Sequence, residues 1–195
     1  MADQKISAMP SAATLTGTEL VPLVQSGANV KATLSTLTAF SRGNAGAFSS
    51  SVTQTGSISA GTAFTFNTTD YAGGVTLASN TRVTAPVAGT YNLQFSIQLA
   101  SSDTAPQDAY IWLRVNGTDI GGSAGRVGMP ARKNPSDPFH AIYGWNYFLT
   151  LTAGQYVELV WLPTALTVTV PFYAAQVTPA IPSTQSVVVT MTQVA

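Results

Sequence analysis

The chain has 195 residues, enough at roughly 100 to 200 residues per domain for one full domain and a small accessory piece. Eight basic residues balance eight acidic ones, and charged residues make up only 8% of the chain, against about 25% in an ordinary soluble domain. This balance leaves no electrostatic footprint for nucleic acid or an anionic membrane, no run of about 18 apolar residues spans a bilayer, and the lack of cysteine excludes disulfides and thiolate chemistry.

So few charges leave two readings of the surface. It is either a neutral one rich in Ser, Thr, Asn and Gln, or one covered in a permanent assembly, where buried interface cores are depleted of charge. The second is preferred. The start MADQKISAMPSAATLTG has no continuous apolar core after a basic segment, so it does not read as a secretory signal, and synthesis in a cytoplasm is expected.

Residues 1–40 begin with a Pro- and Ala-interrupted lead-in. ELVPLVQ, the turn Ser26-Gly27-Ala28-Asn29 and VKATLSTLTAF follow. Two short extended runs around a Gly/Asn turn predict a small hairpin, with Ser35 as N-cap of a last helical turn through Phe40. A two-stranded unit is marginal in water, so this segment needs something to dock on. Residues 41–61, SRGNAGAFSSSVTQTGSISAG, have few large side chains and are predicted to form a linker or an extended arm.

Residues 62–195 form the expected head. FTFNT and GVTLAS lead into TYNLQFSIQLA, where Tyr91, Leu93, Phe95, Ile97 and Leu99 alternate with polar residues in a period of two, the mark of a strand with one buried face. AYIWLRV repeats the pattern, and Asn116-Gly117 supplies a tight hairpin turn. WNYFLTL, QYVELVWLP, ALTVTVPFY and SVVVTMTQV complete about eight strands separated by Gly, Pro, Asn or Asp. The predicted fold is all-β, a sandwich or jelly roll, with no helix-period stretch to suggest an α/β enzyme.

Some strands are apolar on both faces. Tyr110 and Trp112 oppose Ile111 and Leu113, and Val157, Leu159 and Trp161 oppose Tyr156 and Val160. A sandwich core covers one face only, so the other meets a second subunit or caps the open ends of the sandwich. The first reading makes Tyr110, Trp112, Arg114, Tyr156 and Glu158 a trimer interface, with Arg114 and Glu158 paired within or between protomers.

Catalytic chemistry has little to stand on. His140 is the single histidine, beside Phe139. Asp103 and Asp108 have the residue types of a glycosidase pair or a calcium site, but lie in a predicted loop around Pro106, where solvated acids are the simpler reading. Arg126, Arg132 and Lys133 fall in GRVGMPARKNPSDP, predicted to be a long loop; it is either a contact surface for a neighbour or host receptor, or a solvated one. No phosphate loop, nucleophile triad or metal-ligand spacing appears, so no enzyme, cofactor or metal is expected.

Two resemblances sharpen this reading. KISAMPSAATLTGTELVPLVQSGANVKATLSTL, residues 5–37, resembles a module at the front of many bacteriophage tail-fibre and virion-surface proteins, whose core Gly-Thr-Glu-x-Val-Pro-x-Val-Gln is matched by Gly17-Thr18-Glu19-Leu20-Val21-Pro22-Leu23-Val24-Gln25. This resemblance implies virion anchoring through Gly17, Thr18, Glu19, Leu20, Val21, Pro22, Leu23 and Val24. The head is similar to the trimeric jelly-roll family of complement-type and tumour-necrosis-factor-like domains, through Gly89-Thr90-Tyr91 and Gly154-Gln155-Tyr156-Val157. It departs from that family's Phe-x-Gly-x-Leu ending with SVVVTMTQVA.

Together they imply a homotrimeric structural protein of a bacteriophage particle, located in the virion and assembled in the host cytoplasm. The expected role is a capsid decoration or cement protein that binds and stabilises the shell. The alternative is a short tail fibre or spike tip that binds a host receptor. Expected partners are further copies of itself, the major capsid protein or tail baseplate proteins, and a host surface glycan, with no nucleic acid and no membrane. A polysaccharide depolymerase, the third reading, needs paired acids in a groove.

Overall fold

Ser26 and Gly27 both hold positive φ, 52° and 79°, the backbone of a two-residue hairpin turn. The flanking strands β1 (Leu20–Gln25) and β2 (Ala28–Thr33) therefore pair antiparallel, from Leu20↔Thr33 to Gln25↔Ala28. Helix α1 (Leu34–Ser41) follows directly. Its cap is Thr33, two residues earlier than the predicted Ser35: Thr36 N donates to Thr33 Oγ1 at 3.3 Å.

The computed structural model describes residues 14–41 and 43–195, so the resembling segment from Lys5 to Ala13 lies outside the described residues. The chain divides into two units, Met1–Gly43 and Asn44–Ala195. The second holds strands β3 (Ala45–Ser50), β4 (Gln54–Thr55), β5 (Thr62–Ala63), β6 (Thr68–Gly73), β7 (Thr76–Ala78) and β8 (Arg82–Thr84). Then come β9 (Gly89–Ser101), β10 (Gln107–Val115), β11 (Thr118–Asp119), β12 (Gly125–Met129), β13 (Phe139–Leu151) and β14 (Tyr156–Pro163). β15 (Val168–Val170), β16 (Gln176–Val177), β17 (Ala180–Ile181) and β18 (Val187–Gln193) close the chain.

These strands make the expected jelly-roll sandwich. The first sheet runs β11-β10-β14-β8-β7, with β12 on β10 and β5 on β14; the second runs β4-β15-β9-β18-β3-β6, with β13 on β9. The period-two strand β9 behaves as its sequence demands: Tyr91, Leu93, Ile97 and Leu99 are fully buried and Phe95 nearly so. They meet Ala109, Ile111 and Leu113 of β10 and Val157, Leu159 and Trp161 of β14 in one core, where Phe64 stacks on Trp161 at 5.5 Å. Asn116 and Gly117 (φ 48° and 82°) turn β10 into β11 as expected, and Asn116 Oδ1 accepts from Tyr156 N at 3.0 Å. Gly154 (φ 80°) hands the chain from β13 in one sheet to β14 in the other.

Two sequence readings are corrected. The stretch 41–61 is not a linker: β3 lies between β18 and β6 in the second sheet, and Phe48, Ser49 and Ser50 are buried. Its small residues reflect close packing, since a Cβ at Gly46 would sit 2.9 Å from Val75 Cβ. The predicted loop after residue 124 also begins as a strand, β12, which pairs β10 from Gln107↔Met129 to Ile111↔Gly125.

Candidate functional site

In the first unit, Glu19 works inside the module. Its carboxylate accepts from Thr16 N at 2.7 Å, Thr16 Oγ1 at 2.9 Å and Gly17 N at 2.7 Å. The carbonyls of Gly17 and Glu19 in turn accept from Ser35 N and Leu34 N, which satisfies the first amides of α1. These bonds to the ionised form, the Thr16 amide first, pull the Glu19 carboxyl down from 4.5 to about 2. A depressed carboxylate stabilises the turn above its unfolded value and loses that contribution as pH falls toward the folded value. The Gly17 amide proton, followed by NMR, should therefore titrate near pH 2; a midpoint at 4.5 would contradict this geometry. Leu20, Pro22 and Val24 are exposed along β1, whereas Val21 and Leu23 are half-buried and Thr18 is exposed.

In the head, the residues expected at a trimer interface each have partners within their own chain; Tyr110, Trp112, Arg114 and Tyr156 are half-buried and Glu158 is buried. Trp112 Nε1 donates to Asp119 Oδ1 at 2.8 Å, and a Cβ at Gly61 would come within 2.7 Å of its ring. Arg114 Nε binds the same Asp119 oxygen at 2.7 Å, so Arg114 first and Trp112 second hold the Asp119 carboxyl below its usual range. The Arg82 guanidinium lies 4.5 Å from the Tyr156 ring centre, and Arg126 lies 6.0 Å from that of Tyr110.

Glu158 is buried, accepts from Thr81 Oγ1 at 2.8 Å and approaches Arg82 Nε at 3.6 Å. Arg114 and Glu158 are direct neighbours in register, Arg114↔Glu158, yet within the chain each takes another partner. The predicted intrachain pair is therefore not made, because Asp119 and Arg82 offer nearer charges.

The remaining candidates separate. Arg126 sits on β12 and binds Asp108 in an ion pair at 2.6 Å, which raises the arginine further and occupies the aspartate. Asp103 accepts from Ala105 N and Thr167 Oγ1, and these bonds lower its pKa. Both acids thus hold loops and strand ends in place. Arg132 is half-buried and Lys133 exposed on the loop 130–138. His140 Nδ1 lies 2.9 Å from Tyr173 Oη. Among the described residues, no group of three or more His, Cys, Asp or Glu is placed to hold a metal, and no helix is long and apolar enough to cross a membrane.

A different surface stands out once charge is mapped onto the sheets. Strands of the first sheet carry Arg82, Asp108, Arg114, Asp119, Arg126 and Glu158. Strands of the second carry one charged residue, Asp70, on the edge strand β6. Because odd residues of β9 fill the core, Asn92, Gln94, Ser96 and Gln98 face outward. Register sets Phe148, Asn146, Gly144 and Ile142 of β13 beside them on one side, and Thr192, Thr190 and Val188 of β18 on the other. Beyond β18 come Ala45 and Ala47 of β3, and then Tyr71 of β6.

This face is uncharged inside its rim, where Asp70 lies on β6, and Ile142, Phe148 and Tyr71 are 71%, 63% and 58% exposed. Gln94, Phe95, Ser96, Val188 and Thr190 line a shallow depression at its centre. Strand faces that meet water alternate core residues with polar ones; in the first sheet those polar positions include Arg and Asp, whereas here they are Asn, Gln, Ser and Thr. That polar, uncharged alternation is the sequence signal for this surface.

No family model matches the chain, and no curated protein matches it. Among solved structures it is similar to the globular domain of the zebrafish complement 1qA protein, at 14% sequence identity and a TM-score of 0.44, over 78% of this chain and 98% of that one.

Proposed function

We propose that the chain is a non-enzymatic structural subunit that works as a homotrimer, in which the uncharged outer face of the second sheet is buried between copies. The observation that carries this is the segregation of charge: one sheet bears every strand-borne ion pair, the other bears a lone Asp70 at its rim. An interface core depleted of charge costs no unpaired ion on burial, and its exposed rings contribute a few kcal/mol each at about 25 cal/mol per Å2.

Within this reading the assembly is a bacteriophage decoration or cement protein, supported by the resemblance of Gly17 to Gln25 to virion-surface modules and by the lack of a catalytic constellation. Many copies of a modest interface would then hold a shell through multivalency. The same resemblance favours one second reading, a short tail fibre or spike tip. Mass spectrometry of purified particles separates the two: the shell role expects on the order of tens to hundreds of copies per particle, a fibre far fewer. Absence from particles overturns both.

A further inference from the structure

We propose that the hairpin finger at residues 173–183 of one copy lies on the uncharged sheet face of the next copy, so that a second copy of this chain is the occupant of both surfaces. This rests on the self-association proposed above and adds where the copies touch.

The finger is built, not slack. β16 and β17 pair through Gln176↔Ile181 and Val177↔Ala180, and Tyr173 and Thr184 exchange backbone hydrogen bonds of 3.1 and 2.8 Å at its base. Every residue from Tyr173 to Ser183 is exposed, with Val177 at 89% and Ile181 at 45%. The segment YAAQVTPAIPS carries no charge. The other long excursion of the head, residues 130–138, carries Arg132, Lys133 and Asp137, as expected of a loop that stays in water.

The finger is also continuous with the uncharged face. Tyr173 Oη meets His140 Nδ1 at 2.9 Å, and the two rings stand edge to face at 6.0 Å. His140 lies two residues before Ile142 on β13 and so points to the same outer side.

Three consequences follow from these placements. An uncharged finger desolvates no ion when it covers an uncharged face, whereas against the ion-paired first sheet it would bury unmatched charge. Finger and face are different patches on one chain, so the contact is head-to-tail, and the trimer reading requires that it close into a ring of three. Because the hairpin is already ordered, little further ordering opposes the contact.

The chain contains no cysteine, so single introduced cysteines report proximity without background. Protein carrying Val177→Cys is mixed and reassembled with protein carrying Thr190→Cys or Gln94→Cys, then exposed to a mild oxidant. Mixed disulfide dimers are expected to form at least about tenfold faster than with Leu166→Cys, an exposed site on another turn. Equal rates overturn the proposal.

In a second measurement, the double variant Val177→Glu, Ile181→Glu is expected to raise the dissociation midpoint of the assembly about tenfold or more, with the circular dichroism and melting of the separated chains unchanged. An unshifted midpoint overturns the finger contact while leaving the trimer reading intact. A monomeric unmodified protein overturns both.

Discussion

Thr190→Asp converts the assembled protein to monomers and leaves the sandwich folded. Thr190 stands mid-strand on β18, opposite Gln94 on one side and Ala47 on the other, beside the central depression of the uncharged face. An aspartate there points outward and harms nothing in the isolated head. On assembly it is buried with no cation near it, at a cost of about 3 to 5 kcal/mol per copy. Light scattering at micromolar concentration is expected to give the mass of one chain, with an unchanged far-ultraviolet spectrum. Tyr110→Asp, on the outer side of the first sheet near Arg126, is the contrasting case and leaves the assembled mass unchanged. If the two outcomes are exchanged, the interface lies on the β10 face of the first sheet and not on the uncharged face of the second.

Phe48→Ala is expected to lower the stability of the head by about 3 to 5 kcal/mol through the cavity it leaves. Phe48 is fully buried, opposite Val189 on β18, and belongs to the one hydrophobic core of the sandwich. At about 2 to 4 °C per kcal/mol for a domain of this size, the melting temperature falls by roughly 6 to 20 °C. A residue in a linker would give no change. The same logic predicts that a chain beginning at Thr62 fails to fold, since loss of β3 uncovers the edge of β18, while one beginning at Asn44 folds. Cooperative melting of the shorter chain would contradict the position of β3.

The sequence disclosed most where alternation and turn chemistry agree. Tyr91 to Leu99 alternate strictly, and Asn116-Gly117 allows few conformations other than a tight turn, so β9 and the β10–β11 connection were legible residue by residue. β3 was not, because AGAFSS lies in a stretch whose glycines resemble a flexible chain; only the fold shows Gly46 pressed against Val75. β12 was hidden for a similar reason, its GRVGM merging with the prolines and charges that follow.

The site was the least legible part. Tyr110, Trp112 and Tyr156 read as an exposed aromatic face because sequence periodicity reports which side a residue takes, not what crosses over it. Asp119, across the adjacent hairpin turn, and Gly61, Arg82 and Arg126, from more distant segments, supply partial cover. The absence of charge from the second sheet was present in the sequence, yet it became a surface only when register set β13, β9, β18 and β3 side by side.

Sedimentation equilibrium of the unmodified protein across a wide concentration range tests the central claim most directly. A single species with three times the 20.2 kDa chain mass, persisting to low micromolar concentration, is the predicted result. A monomer that stays soluble at high concentration, with Ile142, Phe148 and Val177 facing water, would contradict it.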